Sequence, residues 1–478
     1  MPKNVLFILV DDLRPEINCF GKKKLHTPNI DRLSAESVQF NNNYCQTPLC
    51  IASRGSLFSG MLNRQEEYLF MSQYRKNHEL TLPGVFQANG YETVSIGKSY
   101  HMNHEDDESW TRHYTHTFID EKNVCDGYCS GFQTEHNRAI IGNMARSFRG
   151  EKGLELPPMT ECADVDDAEY PDFKTVSYAI DELAQFQENG HPFFMTVGLY
   201  RPHLPWAVPK KYWDLYKREE VDLAANQFFP ENGVGKTDMT DFLHYGDPVV
   251  NETYKDMGAY KKDDYPVLDH DKQREFIHGY WASVSFMDAQ VGRLMRAVKA
   301  MGMEKDTVIV FAADNGWHLG EHRLWSKVSM FEESTRVPMM IRVDGVTHGT
   351  KTDCLSQLLD IYPTLCDLCG LEIPAHVDGR SLRPLLYEGK PVHDYVVSRM
   401  QDAYTVRYRN YRFTYFAEAN EEGDVWHLPS KFNCELFNLE TDRAENISVF
   451  PDQATGEIVR TCKEILERVY NLNIELKF

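Results

Sequence analysis

Uninterrupted runs of apolar residues at two places in the chain predict strands that are buried on both faces. One run is 4–10, which reads Asn-Val-Leu-Phe-Ile-Leu-Val, and the other is 307–313. Short runs that are rich in β-branched residues are typical of strands covered by helices on both sides. Similar runs at 92–96, 192–199 and 337–343 predict further strands. The pattern therefore favours one large sheet.

The apolar residues between these strands recur with the period of a helix. Residues 174–189 and 277–301 follow this period, and in the second segment one face carries Val284, Met287 and Val291. Buried strands that alternate with helices in this way predict a doubly wound α/β fold.

After about residue 390 the pattern changes. Apolar and polar residues alternate there, as they do in antiparallel strands, over 395–398, 403–407 and 411–416. A helical pattern follows at 455–472. We therefore expect two units: a large α/β unit of residues 1–388, and a small unit of residues 389–478 with an antiparallel sheet and a helix.

The composition is ordinary for a globular protein, with 42% hydrophobic and 26% charged residues among 478. No stretch has the roughly 18 consecutive apolar residues that a membrane-spanning helix needs. The net charge of −21 argues against binding to nucleic acid. We therefore expect neither a membrane nor a nucleic acid as a partner. As written, the sequence predicts a cytoplasmic protein, or a periplasmic or secreted one if a leader was removed.

Oxygen-bearing side chains directly follow the two long apolar runs. Asp11 and Asp12 follow the first run, and Asp314 and Asn315 follow the second. Ligands of open α/β sheets bind at the carboxyl ends of the strands, and adjacent carboxylates repel each other unless a cation lies between them. Four such groups suit a hard cation, calcium or magnesium, better than zinc. An isolated Asp-Asp pair is more often a solvated turn.

Cys50 stands among small residues in the segment 46–60, and Arg54 follows one helical turn later. In a helix these two side chains would point the same way. A buried cysteine at the start of a helix is the ordinary explanation of such a residue, since free cysteine is among the most buried residue types. The order of this segment relative to the two acidic strand ends favours a chemical role instead.

Taken together, these motifs resemble those of the type I sulfatases of the alkaline phosphatase superfamily, and most of all the iduronate-2-sulfatase group. The resemblance extends over 4–15, 27–33, 46–60, 90–101, 198–206, 282–288, 314–322, 325–327 and 435–442. Two positions depart from the family pattern. Ala52 stands where the family usually has proline, and Asn315 stands where the iduronate group can have histidine.

The resemblance implies a fold and a reaction. The fold would be alkaline phosphatase-like, with a large mixed, mostly parallel sheet sandwiched by helices and a small C-terminal antiparallel sheet with a helix. The reaction would be hydrolysis of a sulfate ester on a sulfated saccharide. The iduronate group points to the 2-O-sulfate of a terminal uronic acid in a glycosaminoglycan fragment. Another sulfated glycan or an aryl sulfate stays open as the substrate.

The resemblance also implies the cofactors and the nucleophile. A maturase would convert Cys50 to formylglycine, and the hydrate of its aldehyde would attack sulfur. This hydrate would also contact the calcium or magnesium ion. The cation would be held by Asp11, Asp12, Asp314 and Asn315. Arg54 would steady the hydrate and the metal ligands.

Further side chains would bind the sulfate and move protons. By the resemblance, Lys98 and Lys327 bind sulfate oxygens, and His101 takes the proton from the second hydroxyl of the hydrate. His203 would protonate the leaving sugar oxygen. Without the resemblance, Lys98 and His101 would be taken for a surface lysine and a loop histidine. The sugar pocket would be lined by Arg201, Trp317 and His318.

Three alternatives remain open. The segment from His318 to His322 matches the inverted zincin pattern His-x-x-Glu-His, which indicates a zinc peptidase, although glycines in and beside it disfavour the necessary helix. A phosphatase or phosphodiesterase of the same superfamily would normally have Ser or Thr in place of Cys50. A non-catalytic glycan-binding relative should lack some of these residues, and this chain has them all.

Overall fold

Most of the chain is described by a computed structural model. The described residues are 4–64, 80–101, 106–114, 118–120, 123–125, 131–148, 150–234, 245–254, 266–419 and 430–477. The strands are β1 (Asn4–Val10), β2 (Val38–Tyr44), β3 (Glu92–Gly97), β4 (Arg112–Tyr114), β5 (Phe118–Asp120), β6 (Asn123–Cys125), β7 (Thr160–Ala163), β8 (Phe193–Leu199), β9 (Trp206–Pro209), β10 (Thr307–Ala313), β11 (His318–Leu319), β12 (Trp325–Ser326), β13 (Met339–Arg342), β14 (Thr350–Gln357), β15 (Tyr395–Met400), β16 (Ala403–Tyr408), β17 (Tyr411–Phe416) and β18 (Cys434–Asn438). The α-helices are α1 (Pro28–Ala35), α2 (Cys50–Ser59), α3 (Leu82–Ala88), α4 (Glu135–Ile140), α5 (Gly142–Phe148), α6 (Pro171–Asn189), α7 (Lys210–Trp213), α8 (Pro248–Thr253), α9 (His270–Ala300), α10 (Glu332–Thr335), α11 (Ile361–Cys369), α12 (Arg383–Glu388) and α13 (Gly456–Tyr470).

An eight-stranded mixed sheet forms the centre of the larger part of the molecule. Its strand order is β14-β2-β13-β10-β1-β8-β3-β4. Only β13 runs antiparallel to its neighbours in this sheet; the other pairs are parallel. All five strands predicted from apolar runs lie in this sheet, and the predicted α/β fold is confirmed. The strand predicted at 337–343 is shorter and spans Met339–Arg342; it starts just after Pro338, which has no N–H to donate to a neighbour.

Two long helices pack beside each other near this sheet. α6 spans Pro171–Asn189 and α9 spans His270–Ala300, and the two are in contact. α9 begins seven residues before the predicted start at residue 277. Its first turn is polar, so it gives no apolar signal, and the helix is begun by the Asp269 side chain, which accepts a hydrogen bond from the Lys272 N–H (2.9 Å).

A four-stranded antiparallel sheet, β15-β16-β17-β18, lies in the C-terminal part of the chain. Helix α13 packs against β16 and β17 and buries Val459, Ile465 and Leu466. This sheet and helix agree with the predicted C-terminal architecture. The boundary predicted between residues 388 and 389 falls at the end of α12, and it stays a prediction. Within the described residues, no helix is both long and apolar enough to cross a membrane.

Candidate active site

Four neighbouring strands of the large sheet end at one place. The pairs Gly97–Gly198, Leu199–Val10 and Val10–Ala313 connect β3, β8, β1 and β10 at their carboxyl ends. The residues that follow these strands are Lys98, Tyr200, Asp11 and Asp314. Their main-chain atoms therefore lie next to each other at this edge of the sheet. This register brings together chemical groups that lie far apart in the sequence.

The acidic groups at these strand ends are fully buried. Carboxylate oxygens of Asp11, Asp12 and Asp314 lie within 4.8 Å of one another. Asn315 joins them, since its Nδ2 donates to Asp12 Oδ1 (2.7 Å). Asp11 Oδ1, Asp12 Oδ2 and Asn315 Oδ1 are buried without a hydrogen-bond partner among the described residues. Buried oxygens that lack a hydrogen-bond partner are suited to bind a divalent cation.

Each of these carboxylates is also paired with a buried cationic side chain. The pairs are Arg54 Nε with Asp314 Oδ2 (2.7 Å), Lys98 Nζ with Asp11 Oδ2 (2.5 Å) and Lys327 Nζ with Asp12 Oδ1 (2.7 Å). Arg54 Nη1 donates to the main-chain oxygens of Lys98 and Ser99 as well. The guanidinium of Arg54 therefore holds the end of β3 against the end of β10.

The surrounding charges act differently on the three aspartates. Burial raises the pKa of Asp11, but the positive charge of Lys98 and its neighbours outweighs burial and holds that pKa well below its ordinary value. At Asp12 burial prevails over Lys327 and raises the pKa to about 8. Burial also raises the pKa of Asp314. Additional positive charge at the site would allow all three carboxylates to be ionised at neutral pH.

Cys50 is the first residue of α2, a helix in which small residues such as Ala52 and Gly55 allow burial of nearly every position. Lys327 Nζ lies 2.9 Å from Cys50 Sγ. Burial raises the pKa of the Cys50 thiol above its ordinary range, and the charge of Asp11 adds to this effect. The thiol is therefore neutral and a poor nucleophile as it stands.

His203 lies in the loop after β8, with its ring beside the acidic groups. Its Nδ1 is 2.6 Å from the carbonyl oxygen of Leu204, so Nδ1 carries a proton and donates it to that oxygen. The other ring nitrogen, Nε2, lies 3.6 Å from Asp12 Oδ2. Burial and the charge of Lys327 lower the pKa of His203 well below its usual value.

The loop that carries His203 is held by two residues at its base. Arg201 is 2% exposed, and its guanidinium donates to the carbonyl oxygens of His203 (3.1 Å) and Ala207 (3.4 Å). The Asp172 carboxylate accepts hydrogen bonds from the N–H groups of Tyr200 (2.8 Å) and Arg201 (2.9 Å). Sequence reasoning missed Asp172, because a carboxylate that binds main-chain N–H groups leaves no motif.

His101 follows Lys98 in the loop after β3. Burial and the positive charge of Lys98 lower the pKa of His101 to about 3. The imidazole is therefore neutral at physiological pH, and in these surroundings it is a weak base.

Trp317 and His318 occupy different surroundings although they are adjacent. The centroid of the Trp317 ring lies 5.5 Å from Lys327 Nζ and 6.4 Å from the centroid of the His203 ring. His318 Nε2 instead shares a hydrogen bond with Ser329 Oγ (2.7 Å), and its ring packs edge-on against Phe331. Trp317 therefore borders the acidic site, whereas His318 is part of the packing behind it.

The inverted zincin pattern does not form an α-helix. Leu319 ends the short strand β11, Gly320 has a φ of 103° and His322 has a φ of 54°. Glu321 forms an ion pair with Arg14 (2.8 Å). In the described part of the chain, no cluster of metal-binding side chains includes these residues. The geometry excludes the zinc peptidase.

Family models match nearly the whole chain. The model described as sulfatase matches residues 3–371, and the model described as N-sulphoglucosamine sulphohydrolase, C-terminal, matches residues 320–471. The first match alone covers well over half of the sequence.

Individual relatives agree with these models. The iduronate 2-sulfatase of Mus musculus is 31% identical over 407 residues, which cover 78% of this chain and 69% of the relative. A protein solved in complex with its substrate D-glucosamine-2-N,6-O-disulfate has a TM-score of 0.69 and 19% identity, over 98% of both chains. A 2-O GAG sulfatase has a TM-score of 0.64 and 20% identity, over 98% of this chain and 92% of its own. The two structures show that the fold is shared.

Proposed function

The chain belongs to the sulfatase family, and we propose that it removes the 2-O-sulfate from a terminal uronic acid of a glycosaminoglycan fragment. As a family member it is a sulfuric ester hydrolase. One observation carries the proposal: the buried carboxylates of Asp11, Asp12 and Asp314 lie beside Cys50 Sγ, with cationic side chains around them. The similarity to an iduronate 2-sulfatase supports the choice of the uronic acid.

Sulfatases use a divalent metal and a formylglycine, and we propose calcium as the metal here. Asp11, Asp12, Asp314 and Asn315 would hold it, since their unsatisfied oxygens are hard ligands. Magnesium has the same preference for oxygen and is the other candidate. Bound calcium would neutralise charge on the sulfate oxygens and make a neighbouring hydroxyl more acidic.

Cys50 is the residue that we propose a maturase converts to formylglycine. The converted side chain supplies a hydrated aldehyde as the nucleophile that attacks sulfur. Lys327 supports this assignment, because its ammonium contacts both Cys50 Sγ (2.9 Å) and Asp12 Oδ1 (2.7 Å). In that position it can hold a sulfate oxygen with the nucleophile in reach. Arg54, paired with Asp314, keeps the ligand carboxylate in place.

We propose that His203 is the general acid and His101 the general base. His203 Nδ1 donates its proton in a hydrogen bond to the Leu204 carbonyl oxygen, so a proton for the leaving oxygen must come from Nε2. Burial disfavours the doubly protonated ring, and the negative charge of a bound sulfate ester favours it. Substrate binding would therefore charge the acid. His101 is neutral at physiological pH, and the negative charge of a bound sulfate ester would raise its lowered pKa so that it can accept a proton. Lys98 lies beside it to bind sulfate.

The residues expected to line the sugar pocket receive different proposed roles. Trp317, beside His203 and Lys327, is suited to form a wall of the pocket. Arg201 is proposed to position the His203 loop rather than to touch the sugar, because its guanidinium is bound to main-chain oxygens. His318 is proposed to support Ser329 from behind the site.

A desulfation screen tests the substrate. Protein co-expressed with a maturase is incubated with disaccharides that carry one sulfate each, at the 2-O position of a terminal uronic acid or at the N or 6-O position of glucosamine. We expect inorganic sulfate from the 2-O compound alone, and none from the Cys50→Ala variant. Release from a glucosamine position instead would refute the proposal that the substrate is a 2-O-sulfated uronic acid. Release from aryl sulfates alone would refute the proposal that the substrate is a saccharide.

A further inference from the structure

Asp12 has a left-handed main-chain conformation, with a φ of 54°. This conformation costs free energy for any residue with a side chain, although aspartate tolerates it better than most. Residues 11–14, which we call the Asp12 turn, must therefore be held in place by the surrounding structure. The turn carries the carboxylate whose Oδ2 is buried without a hydrogen-bond partner among the described residues.

The hydroxyl of Tyr280 closes this turn from the side. Tyr280 Oη donates to the main-chain oxygen of Asp12 (2.8 Å) and accepts from the N–H of Arg14 (3.1 Å). Tyr280 lies on α9 and is fully buried. One hydroxyl therefore satisfies the main-chain groups on both sides of Leu13, and it does so from a long helix rather than from the sheet.

Arg14 ties the same turn to the loop after β10. Its Nη1 donates to the Trp317 carbonyl oxygen (3.2 Å), and its Nη2 pairs with Glu321 Oε1 (2.8 Å). This loop begins with Asp314 and Asn315. The turn with one set of cation ligands is thus fastened to the loop with the other set.

We propose that Tyr280 is a positioning residue for the cation, which acts by holding the Asp12 turn in its left-handed conformation, with Arg14 as a second anchor. Without the hydroxyl, the Asp12 oxygen and the Arg14 N–H would be buried without a partner, and the turn would relax. The Asp12 carboxylate would then move away from the other ligands. The inference rests on the proposed cation site.

The aromatic ring of Tyr280 has a separate role in packing. It lies edge-on against Trp206, with 6.1 Å between the ring centroids. Tyr280→Phe keeps this ring and removes only the hydroxyl, so it separates positioning from packing. Tyr362→Phe is the matched control. Tyr362 is also fully buried and donates to a carbonyl oxygen, that of Leu80 (2.7 Å), but its ring packs at the far end of α2 from Cys50.

The experiment measures calcium binding to metal-free protein by isothermal titration calorimetry. We expect Tyr280→Phe to weaken calcium binding by about 10- to 100-fold, which is the usual effect of losing a group that orients a metal ligand. Tyr362→Phe should bind as the wild type does. Sulfatase activity of Tyr280→Phe should return at high calcium concentration, because excess calcium compensates for weaker binding. A purely structural defect would not respond to calcium.

Arg14→Gln provides a second variant in case Tyr280→Phe does not fold, since the Arg14 side chain is 13% exposed. It should also weaken calcium binding. Unchanged affinity in the folded variants would overturn the inference and leave the cation site standing. The inference would also be overturned if Tyr280→Phe lost its activity and high calcium concentration did not restore it. If wild-type protein binds neither calcium nor magnesium, the proposed cation site fails, and the inference fails with it.

Discussion

At the scale of single residues, main-chain contacts decide what the side chains of the site can do. The Leu204 carbonyl fixes the proton of His203 on Nδ1, and the Tyr280 hydroxyl fixes the conformation of Asp12. The sequence revealed His203 and Asp12, because they belong to motifs. It did not reveal Tyr280 as a site residue, because the helical period explains that residue equally well as part of a buried face.

The assignment of His203 as general acid leads to a prediction about leaving groups. A sugar oxygen needs a proton to leave, whereas a nitrophenolate does not. His203→Ala should therefore lower kcat about 10²- to 10⁴-fold on a sulfated uronate disaccharide, and much less on an aryl sulfate. Steady-state kinetics on both substrates measure this difference. Equal losses would show that His203 binds sulfate or supports the loop instead.

At the scale of elements, the site depends on how closely two strand ends approach. A Cβ at Gly198 on β8 would lie 1.9 Å from the main-chain oxygen of Lys98 and 2.0 Å from its carbonyl carbon. Only glycine allows Lys98 to cross over β8 directly after β3 ends. This crossing brings the ammonium of Lys98 to Asp11.

Gly198→Ala should therefore damage both folding and catalysis. Main chain cannot move aside cheaply, so we expect a loss of about 1–3 kcal/mol or more in the free energy of unfolding, together with a large loss of kcat/KM. Thermal unfolding and kinetics test this. The control is Gly456→Ala, at the start of α13, where a Cβ would meet nothing within 4 Å. Equal stability of the two variants would contradict the close approach.

Apolar runs predicted the central strands but not all of the sheet. β2 was missed, although it lies between β14 and β13. Its sequence includes Asn41 and Asn42, which read as a polar loop. In the structure, both asparagines donate to Asp353, so side-chain hydrogen bonds compensate for the lack of apolar residues.

At the scale of the whole molecule, the C-terminal sheet touches the segment that leads to Cys50. Ser398 Oγ donates to the Cys45 oxygen (2.5 Å), and the N–H of Arg399 donates to the Gln46 oxygen (2.8 Å). These contacts join parts of the chain more than 350 residues apart. A sequence pattern predicts each sheet but cannot predict such a contact between them.

The net charge of the chain does not predict the charge around the site. The chain has a net charge of −21, yet Arg54, Lys98 and Lys327 surround the place where an anionic substrate is proposed to bind. Their effect is local because they are buried and paired with aspartates.

The proposed calcium ion should stabilise the whole fold, because it would bind the native protein and not the unfolded chain. Free calcium at about 100 times its Kd would add about 2.7 kcal/mol to the free energy of unfolding. Chelation with EDTA should therefore lower the melting temperature of the wild type in calorimetry. Asp12→Asn, which weakens the ligand set, should respond much less. A melting temperature unaffected by EDTA would contradict the cation site.

The proposed function is tested best by measuring the sulfate released from a disaccharide with a 2-O-sulfated terminal uronic acid. Wild-type protein and the Cys50→Ala variant, each co-expressed with a formylglycine-generating maturase, are compared at equal concentration. We predict multiple turnovers for the wild type and none for the variant. Equal release by the two proteins, or no release by a wild type whose Cys50 is converted, would contradict the proposed function.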